Sequence, residues 1–399
     1  MLNDRRLENY ANVLWWGLAT ARRNPFRRGD VVQIRFQSGA LRLAEVLHRL
    51  LLDRGLNPVP RLLPTPDMEL ALFTLAAGHQ LDFVPPGEEP LLRRLNGSIV
   101  LSAPDCLTHL RAADPGKIGR AALATRPLKR VLEARESRGD YGWTLCMLPT
   151  AELARAAGMS AAAYADHIAR ACFLDAADPV AEWRRVHRTV GCIKRRLDRL
   201  GAARFRIESA GTDLEIAAGR HRTWAGVSGR NIPSFEVFVS PDWRGTRGVF
   251  HADQPSYRSG NIVRGVRLEF KDGRVVRAEA AEGGAFLKRQ IAMDRGAAQV
   301  GEFSLTDRRL SPIDRFMANT LFDENFGGAQ GNAHIALGSS YANTYAGDRR
   351  RLTGTRKSAL GFNDSALHWD LVNTERKRVT ALLRDGTRLT VYEDGEFTI

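Results

Sequence analysis

The sequence predicts an α/β N-terminal domain, a parallel sheet covered by helices, joined to an α+β C-terminal domain whose sheet is mostly antiparallel. Three observations predict it. Strand-like and helix-like segments alternate through the first half. A long helix signal follows from Asp178-Pro179, where Asp caps the free amides and Pro suits the first turn, to a stop at Gly201. Beyond Gly201, strand-like segments and Asp-Gly turn signals dominate. The expected domains are residues 1–195 and 196–399, the second carrying the candidate site.

The elements follow in order. The apolar run Tyr10–Thr20 is too short to span a bilayer, and Asp4 and Glu8 stand where a signal peptide carries positive charge, so it reads as an amphipathic first helix. Val31–Phe36 is a strand. Leu41–Arg54 is a helix with Leu43, Val46, Leu47, Leu50 and Leu51 on one face and Gly55 just past its end. Pro58–Leu63 is extended, Asp67–Ala77 a helix and Ser98–Ser102 a short buried strand. Trp143–Leu148 repeats the strand type and Ala151–Phe173 the helix type. No glycine-rich phosphate loop follows any of these strands. In the second half, Arg204–Glu208, Asp213–Ala217, Phe235–Ser240, Val263–Phe270 and Val275–Ala280 read as strands. Ala285–Arg295 is a helix closed by Gly296, and Asp272-Gly273, Asp385-Gly386 and Asp394-Gly395 are hairpin turns.

Composition excludes several classes. The chain has 399 residues, 44% of them hydrophobic, which supports real cores and rules out a disordered or collagen-like protein. Four cysteines lie far apart without CxxC spacing and read as reduced, mostly buried thiols. With no export signal in view, the expected location is the cytoplasm, with no membrane partner. The formal charge of +14 admits a nucleic-acid partner, but the arginines are dispersed and no aromatic-interleaved basic strand accompanies them. Short basic clusters at Arg22–Arg28 and Asp348–Lys357 therefore read as solvated faces, and no nucleic-acid partner is expected.

Chemistry concentrates near the C-terminus. His334 opens the strand-like run HIALG, and His368 sits in HWD, two residues before Asp370. Residues i and i+2 of a strand share a face, so His368 and Asp370 can face one metal ion. An imidazole and a carboxylate are ordinary ligands for zinc and similar divalent ions. Alone, the motif is weak, because structural His–Asp pairs are common.

Several ordered blocks surround it. They are Gly211–Leu214 (GTDL), Asn231–Pro241 (NIPSFEVFVSP), Gly301-Glu302, Asp323-Glu324-Asn325, His334–Gly338 followed by Tyr341, and Asn363–Asp370 (NDSALHWD). Asp178–Trp183 (DPVAEW) adds a block in the first half. In these the chain resembles the thermophilic-aminopeptidase family of metallopeptidases, the aminopeptidase T and aminopeptidase S type. The resemblance covers nearly the whole chain. It implies metal ligands at Glu236, Glu302, His334, His368 and Asp370, and a tyrosine close to the metals at Tyr341. It further implies a cytoplasmic homodimer that uses two divalent ions, zinc, cobalt or similar, to remove N-terminal residues from peptides. Three carboxylates and two imidazoles nearly balance two such ions, with Asp370 or Glu302 bridging. Such a pair brings water to hydroxide near neutral pH. Tyr341 is then a donor to the developing oxyanion, and a non-bridging glutamate such as Glu302 the proton carrier.

Two departures stand out. Phe235 replaces the family's glycine before the first glutamate, either reshaping the pocket or filling core space. The glycine-rich loop 326–333 is longer than expected, either lining the cavity or serving as a neutral insertion. The alternatives are a hydrolase of a non-peptide amide using the same site, a mononuclear iron ring-cleaving dioxygenase, and a basic RNA-binding protein.

Overall fold

The computed structural model describes residues 2–258 and 260–399. It divides into two compact units. The first is residues 1–183 with 228–232, and the second is residues 184–227 with 233–399.

The first unit is built on a parallel sheet of β1 (Val31–Phe36), β2 (Asn57–Leu62), β3 (Leu95–Ser102), β4 (Gly142–Met147) and the short strand Asn231–Ile232. Their spatial order is β2-β1-β3-β4 and then the short strand, all parallel. The first helix, Asp4–Ala21, is capped by Asn3, whose side chain accepts from the Arg6 amide at 2.9 Å. It buries Leu7, Tyr10, Val13, Leu14 and Leu18, the stripe that a 3.6-residue period places on one side. The second helix ends at Asp53, with Gly55 left-handed behind it. Two of the four free cysteines, Cys146 and Cys172, are buried, Cys106 is half-buried and Cys192 is exposed.

Two helix expectations are corrected. Residues 151–173 form two helices, Ala151–Ala156 and Ala161–Ala171, because left-handed Gly158 ends the first and Ser160 caps the second. The helix expected over Ala285–Arg295 spans Gly284–Ile291, because Asp294 folds back to accept the amides of Gly296 and Ala297.

The helix Pro179–Leu200 carries the chain into the second unit, where left-handed Gly201 stops it. Here β5 (Ala202–Ser209) and β6 (Asp213–Ala217) form a hairpin, and Asn231–Ile232 is β7 in chain order. There follow β8 (Glu236–Val239), β9 (Asp242–Ala252), β10 (Ser256–Arg258), β11 (Asn261–Val263), β12 (Val266–Lys271) and β13 (Arg274–Glu279). The last are β14 (Val300–Thr306), β15 (Asn332–Gly338), β16 (His368–Asn373), β17 (Lys377–Leu383), β18 (Arg388–Glu393) and β19 (Glu396–Phe397).

An eight-stranded antiparallel sheet runs β13-β12-β9-β6-β5-β17-β18-β19. At its β12–β13 and β18–β19 turns, Asp272-Gly273 and Asp394-Gly395 take the two successive positive φ values that these sequences favour. A smaller antiparallel sheet runs β16-β15-β14-β8. Phe205 of the large sheet meets Phe303 of the small one at 5.9 Å between rings, so one face of the small sheet packs on the large sheet. Every residue of β8, β14 and β15 is buried. No helix among the described residues is long and apolar enough to cross a membrane.

Candidate metal centre

Strand register sorts the small sheet into two faces. Opposite partners in an antiparallel pair point the same way, and residues alternate along each strand. Thr306 pairs with Glu236, Ser304 with His334, Ala336 with both Glu302 and Asp370, and Gly338 with His368. Glu236, Glu302, His334, His368 and Asp370 therefore all project from one face. Val237, Phe303, Leu305, Ile335, Leu337 and Leu371 project from the other, which is the core face.

A bulge places Glu302. Val300 pairs with Leu337 and Glu302 with Ala336, leaving Gly301 unpaired between them. A β-carbon at Gly301 would lie 2.3 Å from the Gly338 carbonyl oxygen, so only glycine fits there. This is the physical content of the Gly301-Glu302 block.

The side chains converge. One ligand atom from each of Glu236, Glu302 and His334 lies within 4.8 Å of the others. His334 Nε2 is 3.3 Å from Glu302 Oε1 and 3.5 Å from Glu236 Oε2. His368 Nε2 is 3.3 Å from Asp370 Oδ1 and 4.0 Å from Glu302 Oε2. Glu302 thus presents one oxygen to each histidine.

Hydrogen bonds behind the site fix both rings. His368 Nδ1 donates to the Ser339 carbonyl at 2.9 Å, and His334 Nδ1 faces Asn332 Oδ1 at 3.3 Å. The Asn332 amide nitrogen is spent on the carbonyls of Glu324 and Phe326, which fixes its orientation. Both imidazoles therefore turn Nε2 inward, as a metal-binding histidine does when its other nitrogen is held.

The loop before β16 is pinned with similar care. Asn363 donates to the carbonyls of Gly296 and Gly338, at 2.8 and 2.6 Å. Asp294 accepts from Ser365 Oγ and the Ala366 amide, both at 2.8 Å. These bonds explain the Asn and Ser of the NDSALHWD block. Asn325 serves β8 in the same way, accepting the amides of Phe235 at 2.5 Å and Glu236 at 3.1 Å.

The cluster is short of positive charge. Burial, and then the Glu302 charge, push the Glu236 carboxyl up to about 8. Burial opposes charging of His368, but Asp370 and Glu302 outweigh it and raise its pKa to about 9. His334 is raised in the same sense, with burial opposing Glu302 and Glu236. Two carboxylates at such spacing repel by roughly 4 kcal/mol at 4 Å and an effective dielectric of 20. Glu302 Oε2 is buried without a hydrogen-bond partner. Three carboxylates, two inward imidazoles and an orphaned oxygen fit divalent cations, which supply both the charge and the missing partner.

Tyr341 stands beside this face. Its ring centroid is 4.6 Å from that of His368 and 5.8 Å from that of Phe238, and its amide donates to Ser240 Oγ at 2.8 Å. It is 43% exposed. The structure brings all six sequence-derived candidates to one place.

Two side chains there were not anticipated. Glu324 is buried and sits close enough to Glu236, Asp370 and Glu302 for their charges, after burial, to push its carboxyl well above the usual range. Its signal was present in the Asp323-Glu324-Asn325 block, an acid amid apolar residues. Arg258 lies on β10 and carries no motif. Phe235 is fully buried, so its ring fills core space. The loop 326–333 packs on Tyr392, since a β-carbon at Gly331 would fall 2.0 Å from that hydroxyl.

The family model for thermophilic metalloproteases (M29) matches residues 3–397. Aminopeptidase T of Thermus thermophilus is 30% identical over 313 residues, 73% of this chain and 74% of that protein. Aminopeptidase T of Thermus aquaticus is 29% identical over 308 residues, 73% of this chain and 74% of that protein. Aminopeptidase PepS of Streptococcus thermophilus is 28% identical over 247 residues, 59% of this chain and 58% of that protein. Among solved structures, wild-type AmpT from Thermus thermophilus superposes with a TM-score of 0.80 at 25% identity, covering 99% of each chain.

Proposed function

We infer the function from kinship and geometry together: the chain belongs to the thermophilic metalloprotease family, M29, and is a metal-dependent aminopeptidase. The observation that carries the finer reading is the placement of Glu302 between the two histidines. Glu236, His334 and one Glu302 oxygen form one ion position; His368, Asp370 and the other oxygen form a second. The donors suit zinc or cobalt. When bound, a pair of such ions supplies Lewis acidity and a water made acidic enough to attack an amide near neutral pH.

The protein's own residues do the rest. The Nδ1 bonds of His334 and His368 hold the ligands rigid before substrate arrives. Tyr341, half-open beside His368, offers its hydroxyl to the carbonyl oxygen of the scissile bond, where negative charge grows in the transition state. With Glu302 taken as the ligand shared by both ion positions, the proton-carrying role read from sequence for Glu302 passes to Glu324, the buried carboxyl that remains once five ligands are assigned. A free α-amine could pair with a carboxylate of the site or bind an ion held there, which would account for cleavage at the N-terminus. Kinship with aminopeptidases favours a peptide substrate, with a small non-peptide amide as the competing substrate of the same site.

The catalytic machinery belongs to the C-terminal part of the chain, residues 196–399 of the division read from sequence. A homodimer is supported by the helix Pro66–Leu75, none of whose side chains is fully buried and whose Leu75 is 82% exposed. A cytoplasmic location is supported by four free thiols, one of them exposed. The reaction is tested by offering free-amine and N-acetylated forms of the same short peptides to the zinc- or cobalt-loaded protein. Release of the first residue from the free-amine form alone is expected. Turnover of non-peptide amides with no peptide cleaved would transfer the site to the competing substrate.

A further inference from the structure

β16, which carries His368 and Asp370, is the edge strand of the small sheet. Its inner edge pairs with β15, and its outer edge needs partners from elsewhere. The segment Asp253–Arg258 supplies them. The Gln254 amide donates to the Val372 carbonyl at 3.3 Å, and Asp253 Oδ1 accepts the Thr374 amide at 2.6 Å. At the other end, Arg258 Nη1 donates to the carbonyl of His368 at 2.7 Å. Beside it, Ser256 Oγ accepts from Trp369 Nε1 at 2.8 Å. The Arg258 guanidinium is itself held, with Nε on Gln290 Oε1 at 3.2 Å and its carbon 5.8 Å from the Trp369 ring centroid. It is largely buried, and its charge favours the ionised form of Asp370.

We propose that Arg258 is a positioning residue for the second ion position, acting through β16 to hold the His368 imidazole and the Asp370 carboxylate in register. The geometry makes the effect one-sided. Glu236 and His334 stand on β8 and β15, which Arg258 does not touch through any bond named above. Removing the guanidinium frees the His368 carbonyl and the end of β16, while Nδ1 of His334 stays on Asn332. One ion position loosens and the other does not. Residues that orient a ligand from behind typically contribute 10–100-fold in metal affinity, and a charge-assisted bond to a backbone carbonyl is of the stronger kind.

The proposal rests on the two-ion reading, and the test separates the two. Metal-free wild type, Arg258→Gln and Arg258→Lys are titrated with Co²⁺, following the visible absorption of bound cobalt and the heat of binding. In wild type two ions bind. In Arg258→Gln the first is expected to bind with unchanged affinity and the second 10–100-fold more weakly, with kcat recovering as Co²⁺ saturates. Arg258→Lys, which keeps a cationic donor, restores part of the second affinity. Ser256→Ala, which removes the neighbouring bond and leaves the charge, tests the same strand should Arg258→Gln fold poorly, and is expected to weaken the second ion alone. Equal weakening of both ions, or no weakening of either, overturns the role of Arg258 and leaves the two-ion reading standing. A wild type that takes up one ion overturns both.

Discussion

Asn325→Ala should cost more stability than the loss of a single side chain suggests. Asn325 is fully buried, and its amide serves three backbone groups at once. Its oxygen accepts the amides of Phe235 and Glu236, and its nitrogen donates to the Leu321 carbonyl at 3.0 Å. Alanine removes all three of these bonds. At about 1–3 kcal/mol for each buried bond lost, the cost is roughly 3–9 kcal/mol, the low end applying where water or another group takes up the partners. At about 2–4 °C per kcal/mol for a domain of this size, even the low end lowers Tm by roughly 6–12 °C. The assay is thermal unfolding followed by circular dichroism in excess chelator, because bound metal would stabilise the folded form and mask part of the loss. Asn325→Asp keeps the acceptor but puts an oxygen where the Asn325 nitrogen lies 3.4 Å from the Glu324 carboxyl, so it should fare no better than alanine. A Tm shift under 2 °C for Asn325→Ala would show that the entry to β8 is held by packing, and the reasoning about Glu236 would fail with it.

Other outcomes follow from the site. His334→Ala and Asp370→Ala should each abolish activity with little change in fold; near-normal turnover at full metal occupancy would refute their roles as ligands. Tyr341→Phe should keep its metal and lower kcat by about 10²–10³ with a small change in KM, whereas loss of metal would make the phenol a ligand. Glu324→Gln should likewise retain metal while kcat falls about 10²–10⁴-fold, and an unchanged kcat would remove it from proton transfer. Glu375 gives a pH test away from the metals. Burial opposes its charge, but Ser209, the Gly211 amide, His251 and Asn373 outweigh that and hold its pKa at about 2. A carboxyl depressed on folding stabilises above its unfolded pKa and loses that contribution as pH falls through the folded value. Glu375→Gln should therefore lower Tm at pH 7, and the gap to wild type should close between about pH 4.5 and 2. A gap independent of pH would show that shape, not charge, matters there.

How much of this was legible in the sequence differs by element. Strands β1 to β4 and the Asp-Gly hairpins were readable because extended, largely apolar runs and turn chemistry are local signals. β9 was not, because DWRGTRGVFHA carries exposed arginines and two glycines. Gly248 takes φ +104° against the Asp213 carbonyl, and the pairing with β6 shifts register nearby. Those are bulge features that break the two-residue pattern. The Asn231–Pro241 block reads as one motif, yet Asn231–Ile232 joins the parallel sheet while Glu236 begins a strand of the small sheet, a split that no local pattern encodes. The split of residues 151–173 was written in Gly158-Met159-Ser160 and was overridden by the helical character of its flanks. At the site, the five ligand candidates and Tyr341 came from ordered blocks. The division of Glu302 between two histidines came only from register. Arg258 was invisible, since it reaches His368 across 110 residues through one hydrogen bond.

The most direct test of the two-ion aminopeptidase is one titration. Metal-free protein receives Zn²⁺ or Co²⁺ in measured equivalents while release of the N-terminal residue from a short free-amine peptide is followed beside its N-acetylated twin. Activity on the free amine that reaches its full value only with the second equivalent, and none on the acetylated peptide at any loading, is the result expected. Full activity at one equivalent, or equal cleavage of both peptides, would contradict it.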